Sequence, residues 1–249
     1  MKSIVKIYGE RNTNTNYLSK LIDLNLNAQQ LRGIIPRYVL LLQKMLPGDE
    51  AIRDIYFSLT YPSNLGWKHT SVLPQDELKR LSLVDEKLLF ITISKNPYSW
   101  LLSLHRRPYH QYSKHSMSFD EFLSAGWRTV GRDGMGKACV TPIELWNIKN
   151  RSYLNMDPAI TLHVKSEEIS INPKGVIDRM SDDFGFQRKS SNFIDYSKST
   201  KDSGKDSSYY RDYYQFEKWR EKLSPEAIRI INQSVDVDLM SALGYEMIG

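Results

Sequence analysis

The stretch that most constrains this chain is Ile4 to Ile22, IVKIYGERNTNTNYLSKLI. Ile4, Val5, Ile7 and Tyr8 form a short apolar, β-branched run that suits a buried parallel strand. Gly9 breaks the run, and Glu10 to Asn14 is wholly polar. Thr13, Asn14, Thr15 and Asn16 are all good N-cap residues, and Tyr17, Leu18, Leu21 and Ile22 follow at helical spacing. The segment reads as strand, tight turn, helix. Such a turn points free backbone N–H groups one way, and the helix dipole adds partial positive charge, so the geometry suits an anion. Arg11 adds a full charge, and the Thr and Asn side chains add neutral donors. The same pattern also fits a plain α/β connection whose polar residues only satisfy the backbone. It is not a Walker A loop, because no Gly-Lys pair precedes a Ser or Thr here, which disfavours a nucleotide triphosphatase.

A second unit of the same kind follows. Leu88 to Ser94, LLFITIS, is continuously apolar or β-branched, as a central parallel strand should be. Lys95-Asn96-Pro97 then turns directly into a helix from Tyr98 to Leu104, with Pro97 as its first residue. Ile160 to Val164 is another short strand. Helices are expected over Ser118 to Gly126 (capping box Ser118 and Glu121), Pro142 to about Asn155 behind the cap Thr141, and Pro173 to Phe184. Two more span Tyr209 to Leu223 and Pro225 to Leu243. Ala28 to Leu46 carries a helical pattern interrupted by Gly33 and Pro36 and closed by Pro47-Gly48. Ile55, Phe57, Leu59 and Tyr61 alternate as a strand would. Gln75 to Val84 is a short charged helix or loop, Arg128 to Lys137 a Gly-rich basic loop, and Ser190 to Ser208 a polar, mobile one. Strands alternating with helices, without repeats or an internal linker, imply one α/β domain over residues 1–249: a central, mostly parallel sheet flanked by helices.

Charge narrows the partners. The 34 Lys and Arg are interleaved among 29 Asp and Glu, for a net charge of +5. That balance suits an anionic ligand and falls short of a nucleic-acid coat. The single cysteine, Cys139, excludes an intrachain disulfide and a Cys-rich zinc site. The five His are not paired with carboxylates at ligand spacing, so no metal is expected. MKSIVKIYGE is too short in its apolar run for a signal-peptide core, and no run approaches a membrane span. The expectation is a soluble, cytoplasmic protein.

Taken in order, these segments resemble the sulfotransferases that use 3'-phosphoadenosine-5'-phosphosulfate (PAPS). In that family the first strand feeds a loop holding the 5'-phosphosulfate, and GERNTNTNYLSKLI resembles it. Their later central strand ends in a basic residue and Asn-Pro, with a Ser two helical turns on, and that pair grips the 3'-phosphate. FITISKNPYSWLLSL resembles this motif, with Lys95 and Ser103 in the two places. HVKSEEISINP and the terminal LSPEAIRIINQSVDVDLMSALGYEM resemble later landmarks. Two departures stand out. Asn12 occupies the usual Lys or Arg place, with Arg11 one residue earlier. Asn14 occupies the usual Gly place, and Asn best tolerates a left-handed backbone.

The resemblance implies a P-loop-like fold, PAPS as sulfuryl donor without a metal, and a small-molecule or glycan acceptor. It places Arg11, Asn12, Thr13, Asn14, Thr15 and Asn16 at the phosphosulfate and Lys95 and Ser103 at the 3'-phosphate. Sulfuryl transfer also needs a base and positive charge at the moving group. Gly66-Trp67-Lys68-His69 lies between the two motifs. There His69 is the favoured base and Lys68 the sulfuryl contact, with Arg11 as the second cation and Glu10 as reserve base. A surface Lys-His pair is the plain alternative. Lys198, Lys201, Gly204 and Lys205 match a nucleotide cover in composition only. HRRPYHQYSKH is most simply a solvated basic loop. Trp100, Leu101 and Trp146 read as core, and Asn147 is a candidate acceptor contact. Two other functions fit the same residues: a non-catalytic nucleotide- or phosphate-binding protein on this scaffold, and a basic nucleic-acid-binding module, which the mild net charge disfavours.

Overall fold

The protein is described by a computed structural model covering residues 3–45, 50–83, 88–111, 116–197 and 204–249. In chain order its elements are β1 (Ser3–Gly9), α1 (Thr15–Asn25), β2 (Ala28–Gln30), α2 (Arg37–Met45), α3 (Ala51–Asn64) and α4 (Gln75–Leu81). Then come β3 (Leu88–Ser94), α5 (Pro97–Arg106), α6 (Phe119–Ser124), β4 (Trp127–Arg128), β5 (Cys139–Val140) and α7 (Pro142–Leu154). The chain closes with β6 (Thr161–Lys165), α8 (Ser166–Ile171), α9 (Pro173–Phe184), α10 (Ser207–Gln215), α11 (Pro225–Ser234) and α12 (Val237–Ala242).

The central sheet has the order β2-β1-β3-β6, and every pairing in it is parallel. Alternation sends β1 and β3 side chains to opposite faces. Val5, Ile7, Ile91 and Ile93 pack with Leu18, Leu21 and Ile22 of α1 and Val176, Ile177 and Met180 of α9. Tyr8 and Phe90 point the other way and pack with Tyr153 of α7. Helices therefore cover both faces, as the expected α/β architecture requires. The register pairs Gly9 with Ile93, so the loops leaving β1 and β3 emerge side by side at the same edge.

Several expectations need correction. The helical pattern from Ala28 contains the edge strand β2 before α2. Its three residues lack β-branching, and pairing with β1, extended by the Leu31 N–H donating to the Val5 carbonyl at 2.8 Å, makes them a strand. Its closing Pro47-Gly48 lies outside the described residues, as does Val84. The alternating Ile55–Tyr61 segment is helix α3. Phe57 is buried, whereas Ile55 and Leu59 are exposed, so the alternation marks no buried face. The Arg128–Lys137 loop is bounded by the β4–β5 pair and holds a 3-10 turn over Gly131–Asp133. The last two helices are also subdivided: α10 gives way to a 3-10 turn over Arg220–Lys222, and the Asp236 side chain accepts from the Leu239 N–H and starts α12 as a new helix.

Lys6 is the one charged side chain in the middle of β1. It is fully buried and donates to the Asn64 and Gly66 carbonyls at 2.5 and 2.6 Å. Burial, and secondarily the charge of Lys68, pull its pKa well below the ordinary lysine value. The sheet thereby anchors the segment after α3, which carries Lys68 and His69.

Candidate active site

The loop after β1 is held by short-range geometry. A Cβ on Gly9 would lie 2.9 Å from Ile93 Cβ and 2.9 Å from Thr13 Oγ1, so only glycine lets β1 and the turn approach β3 this closely. Asn12 and Asn14 have φ of 68° and 63°, the left-handed conformation that asparagine tolerates. Asn14 is the N-cap of α1 by position, but its side chain makes no capping bond. Its Nδ2 donates to the Ser166 carbonyl at 3.0 Å and to Ser170 Oγ at 2.8 Å, tying the loop to α8. Thr13 Oγ1 donates to the Glu10 carbonyl at 2.5 Å and is buried inside the turn. From the other side, Trp100 Nε1 donates to the Arg11 carbonyl at 2.9 Å, and Asn12 Nδ2 to the Ser103 carbonyl at 3.3 Å.

The second unit is built by Pro97 at the first helical position and by Asn96, whose Oδ1 accepts from the Tyr98 N–H at 3.1 Å. Lys95 is 1% exposed, and Trp146 Nε1 donates to its carbonyl at 2.9 Å. Its Nζ donates to Ser103 Oγ at 3.0 Å and Tyr214 Oη at 2.9 Å, with a longer contact to the Asn12 carbonyl at 3.4 Å. Burial lowers the Lys95 pKa to about 8, an effect that the Glu167 charge opposes. Glu167 accepts from the Asn96 N–H at 3.0 Å and from Tyr245 Oη at 3.2 Å, so the chain's closing Leu-Gly-Tyr reaches the end of β3.

The third contribution is the segment after α3. Gly9 N–H donates to the Lys68 carbonyl at 2.9 Å, and Lys68 N–H donates to the Gly33 carbonyl at 3.3 Å. Lys68 Nζ reaches Asn16 Oδ1 at 2.5 Å. His69 Nδ1 lies 2.5 Å from the Gly9 carbonyl oxygen. A carbonyl only accepts, so Nδ1 carries the proton and Nε2 is the acceptor nitrogen of the neutral ring. Burial holds the His69 pKa well below 6.5. The nearby charges of Lys68, Arg11 and Lys149 act in the same direction, and the Gly9 contact opposes them. The ring is therefore neutral at pH 7. Arg11 places its guanidinium over the Tyr109 ring, 4.5 Å from its centroid.

A cavity of about 370 Å³ opens where the three segments meet. Arg11, Asn12, Asn14, Thr15 and Asn16 line it from the first loop, Lys68 and His69 from the third segment, and Lys95 and Ser103 from the second. Of the residues expected at the phosphosulfate and the 3'-phosphate, Thr13 is not in the lining. A smaller cavity of about 290 Å³ adjoins it and shares Thr15, Asn16, Ile34 and Lys68. Among the described residues no group of three His, Cys, Asp or Glu is arranged to hold a metal ion, and no helix is long and apolar enough to cross a membrane.

Other expectations fare differently. Glu10 does not line the cavity: it is 1% exposed and lies 2.6 Å from Lys149 Nζ, so it is an ion-pair partner. Asn147 donates to the Ser234 carbonyl at 2.9 Å and accepts from the Asp236 N–H at 3.0 Å, so it joins helices and is not among the residues lining the cavity. In the basic run, Tyr109 is buried and His110 Nε2 contacts the Arg128 carbonyl at 3.1 Å, so this part is packed and not a solvated loop. Tyr112 to His115, Lys198 and Lys201 lie outside the described residues. Lys205 donates to Tyr209 Oη at 3.0 Å. Sequence reasoning missed Tyr214, Tyr210, Ser170 and Trp67 in the cavity wall. Trp67 and Lys68 stand together in GWKH, so that tetrapeptide was the available signal. The tyrosines of α10 carry none, because their approach to Lys95 is a matter of tertiary packing.

No protein-family model matches the chain, and no curated protein matches it. Among solved structures the chain is similar to a sulfotransferase domain from the curacin biosynthetic pathway, at 11% identity over 100% of this chain and 99% of that one, with a TM-score of 0.43. It is also similar to a sulfotransferase domain from the Synechococcus PCC 7002 olefin synthase, at 12% identity over 93% of each chain, with a TM-score of 0.35.

Proposed function

We propose that the protein is a sulfotransferase that moves a sulfuryl group from PAPS to a hydroxyl or amine of a small-molecule or glycan acceptor. One observation carries this reading. Two strand-to-helix turns suited to anions, at the ends of the paired strands β1 and β3, open on a single cavity that His69 also lines. A donor with a phosphosulfate at one end and a 3'-phosphate at the other needs two such turns a fixed distance apart. The side chains suit that donor. Lys95 already grips a hydroxyl pair, Ser103 and Tyr214, whose oxygens can turn their hydrogens to a phosphate. The first loop offers Asn12, Thr15 and Asn16 as neutral donors, with Arg11 and Lys68 as cations.

When bound, the donor supplies an activated sulfuryl group. The residues of the chain do the rest. Lys95 and Ser103 hold the end that does not react. Arg11, Lys68 and the amides at the start of α1 balance the charge that builds on the moving group and on the departing phosphate. Neutral His69 accepts the acceptor's proton at Nε2 as the new bond from the acceptor oxygen or nitrogen to sulfur forms. The leaving phosphate keeps the electron pair of the bond that breaks.

Calorimetric titration with adenosine 3',5'-bisphosphate in the presence of a chelator, followed by transfer assays with 35S-labelled PAPS and a panel of acceptors, tests the reading. Binding with transfer is expected. Binding without transfer to any acceptor points to a non-catalytic nucleotide-binding protein, and no binding at millimolar ligand removes the proposal.

A further inference from the structure

Beneath the cavity lies a cluster of charges that the reaction does not use. Lys149, on α7, is fully buried, and its Nζ lies 2.6 Å from Glu10 Oε1 and 2.7 Å from Asp133 Oδ1. The two carboxylates are 1% and 0% exposed. The same ammonium donates to the His69 carbonyl at 2.8 Å. Its three partners come from the end of β1, from the segment after α3 and from the 3-10 turn before β5. A buried cluster of this kind costs desolvation, and an apolar replacement of equal shape is often as stable. Its position therefore calls for an account other than stability.

That account is geometric. The His69 ring is held by its Nδ1 contact to the Gly9 carbonyl, and Glu10 follows Gly9 in the chain. One ammonium thus grips the residue next to the ring's acceptor and the backbone carbonyl of the ring's own residue. It fixes both ends of the contact that decides which ring nitrogen bears the proton. Asp133 secures the ammonium from the opposite side. Its own placement is set by the Val130 N–H, which donates to Oδ2 at 2.9 Å, and by the Ser71 N–H, which donates to its carbonyl at 2.7 Å.

We infer that Lys149 is a positioning residue, which with Glu10 and Asp133 holds His69 in the Nδ1-protonated form with Nε2 free to accept a proton. The inference rests on the proposed function for the meaning of that nitrogen, but the geometry it describes can be measured without any turnover.

The test compares the full chain with two variants, Lys149→Met and the triple substitution Glu10→Gln, Lys149→Met, Asp133→Asn. The single change leaves two buried carboxylates without a cation and is expected to unfold or weaken the protein. The triple change removes every charge, keeps the shape and still leaves the His69 carbonyl without its donor. Imidazole 15N shifts report the tautomer of His69, assigned by comparison with His69→Gln. The expected result is a folded triple variant that binds adenosine 3',5'-bisphosphate as the parent does, yet shows His69 exchanging between tautomers. Its turnover should fall on the order of a hundredfold, the scale of a small misplacement of a reacting group. A triple variant with parental His69 shifts and parental turnover would show that the cluster is only structural and overturn the inference. If the parent neither binds the nucleotide nor transfers sulfate, the proposed function fails, and the 15N comparison alone then decides the role of Lys149.

Discussion

Lys95 Nζ and Ser103 Oγ lie 3.0 Å apart, although one residue directly follows β3 and the other sits two turns along α5. Ser103 Oγ also donates to the Ser99 carbonyl at 2.9 Å. The hydroxyl thus bridges a helix carbonyl and a buried cation, and both groups are in place before any ligand arrives. Replacing either by Ala should weaken binding of adenosine 3',5'-bisphosphate by about tenfold or more, since a hydrogen bond to a charged group contributes about 1.5–3 kcal/mol. Turnover at saturating donor should change less, because the contact is made equally in the ground and transition states. Unchanged dissociation constants in both variants would exclude this pair from the nucleotide site.

The lowered pKa of Lys95 gives two pH effects of opposite sign. The cation is needed to hold a phosphate, so nucleotide affinity should fall as pH rises through about 8, where the free protein loses this proton. Folding runs the other way. Unfolded Lys95 keeps its proton up to the ordinary value of 10.5, so between about 8 and 10.5 the unfolded chain binds more protons and the apo protein gains stability from this group. Melting temperature against pH for the parent and Lys95→Met, without ligand, should show a rise in the parent that the variant lacks.

Removing His69 should lower turnover on the order of a hundred- to ten-thousand-fold while nucleotide affinity stays within a few-fold of the parent. His69→Gln is the better variant than Ala, since an amide can still donate to the Gly9 carbonyl. Full turnover in His69→Gln would mean that another group takes the acceptor's proton. Glu10 is not available for that task, because it is paired with Lys149 under the cavity.

Asn14 serves backbone geometry and tertiary contact at once. Asn14→Ala keeps a β-carbon in a left-handed conformation without the polar side chain that makes asparagine tolerant of it, at up to about 1–2 kcal/mol, and removes the bonds to Ser166 and Ser170. Asn14→Gly loses only the bonds, at about 1 kcal/mol. Denaturant unfolding should therefore rank the parent above Gly and Gly above Ala. The reverse order of Gly and Ala would show that the loop does not keep this conformation in solution.

Acid should unfold the protein partly through a half-buried neutral histidine. His163 is held between Thr92 Oγ1 at 2.6 Å and Ser94 Oγ at 3.2 Å, and burial, helped by Arg179 and Lys165, lowers its pKa to about 4. Its unfolded value is 6.5, so stability from this group is present above 6.5 and lost as pH falls from 6.5 towards 4. His163→Asn should be less stable at pH 7 and should lose less stability between pH 6.5 and 4 than the parent. Parallel pH profiles for the two proteins would exclude this residue from the acid transition.

The strands β1, β3 and β6 and the helices beside them are legible in the chain because each satisfies a local rule. β-branched runs make buried strands, Pro97 and Pro142 open helices, and Gly185 and Gly244 end them. The same local rules place Lys95 and the Asn-rich turn at strand ends, so these cavity-lining residues could be named in advance, whereas Ser170, Tyr210 and Tyr214 could not. β2, α3 and the charged cluster could not. Ala28–Gln30 is a strand only because β1 offers it a partner, and the alternation across Ile55–Tyr61 yields to a helix in which Phe57 alone of those apolar residues is buried. In the sequence Lys149 is one more lysine in a helix. Its burial is tolerable only because Glu10 and Asp133, from segments far along the chain, arrive within 2.7 Å of it. A pattern within one segment reports which face that segment will bury. The electrostatic cost of burying a charge is met by groups from other segments, so only the assembled fold decides it.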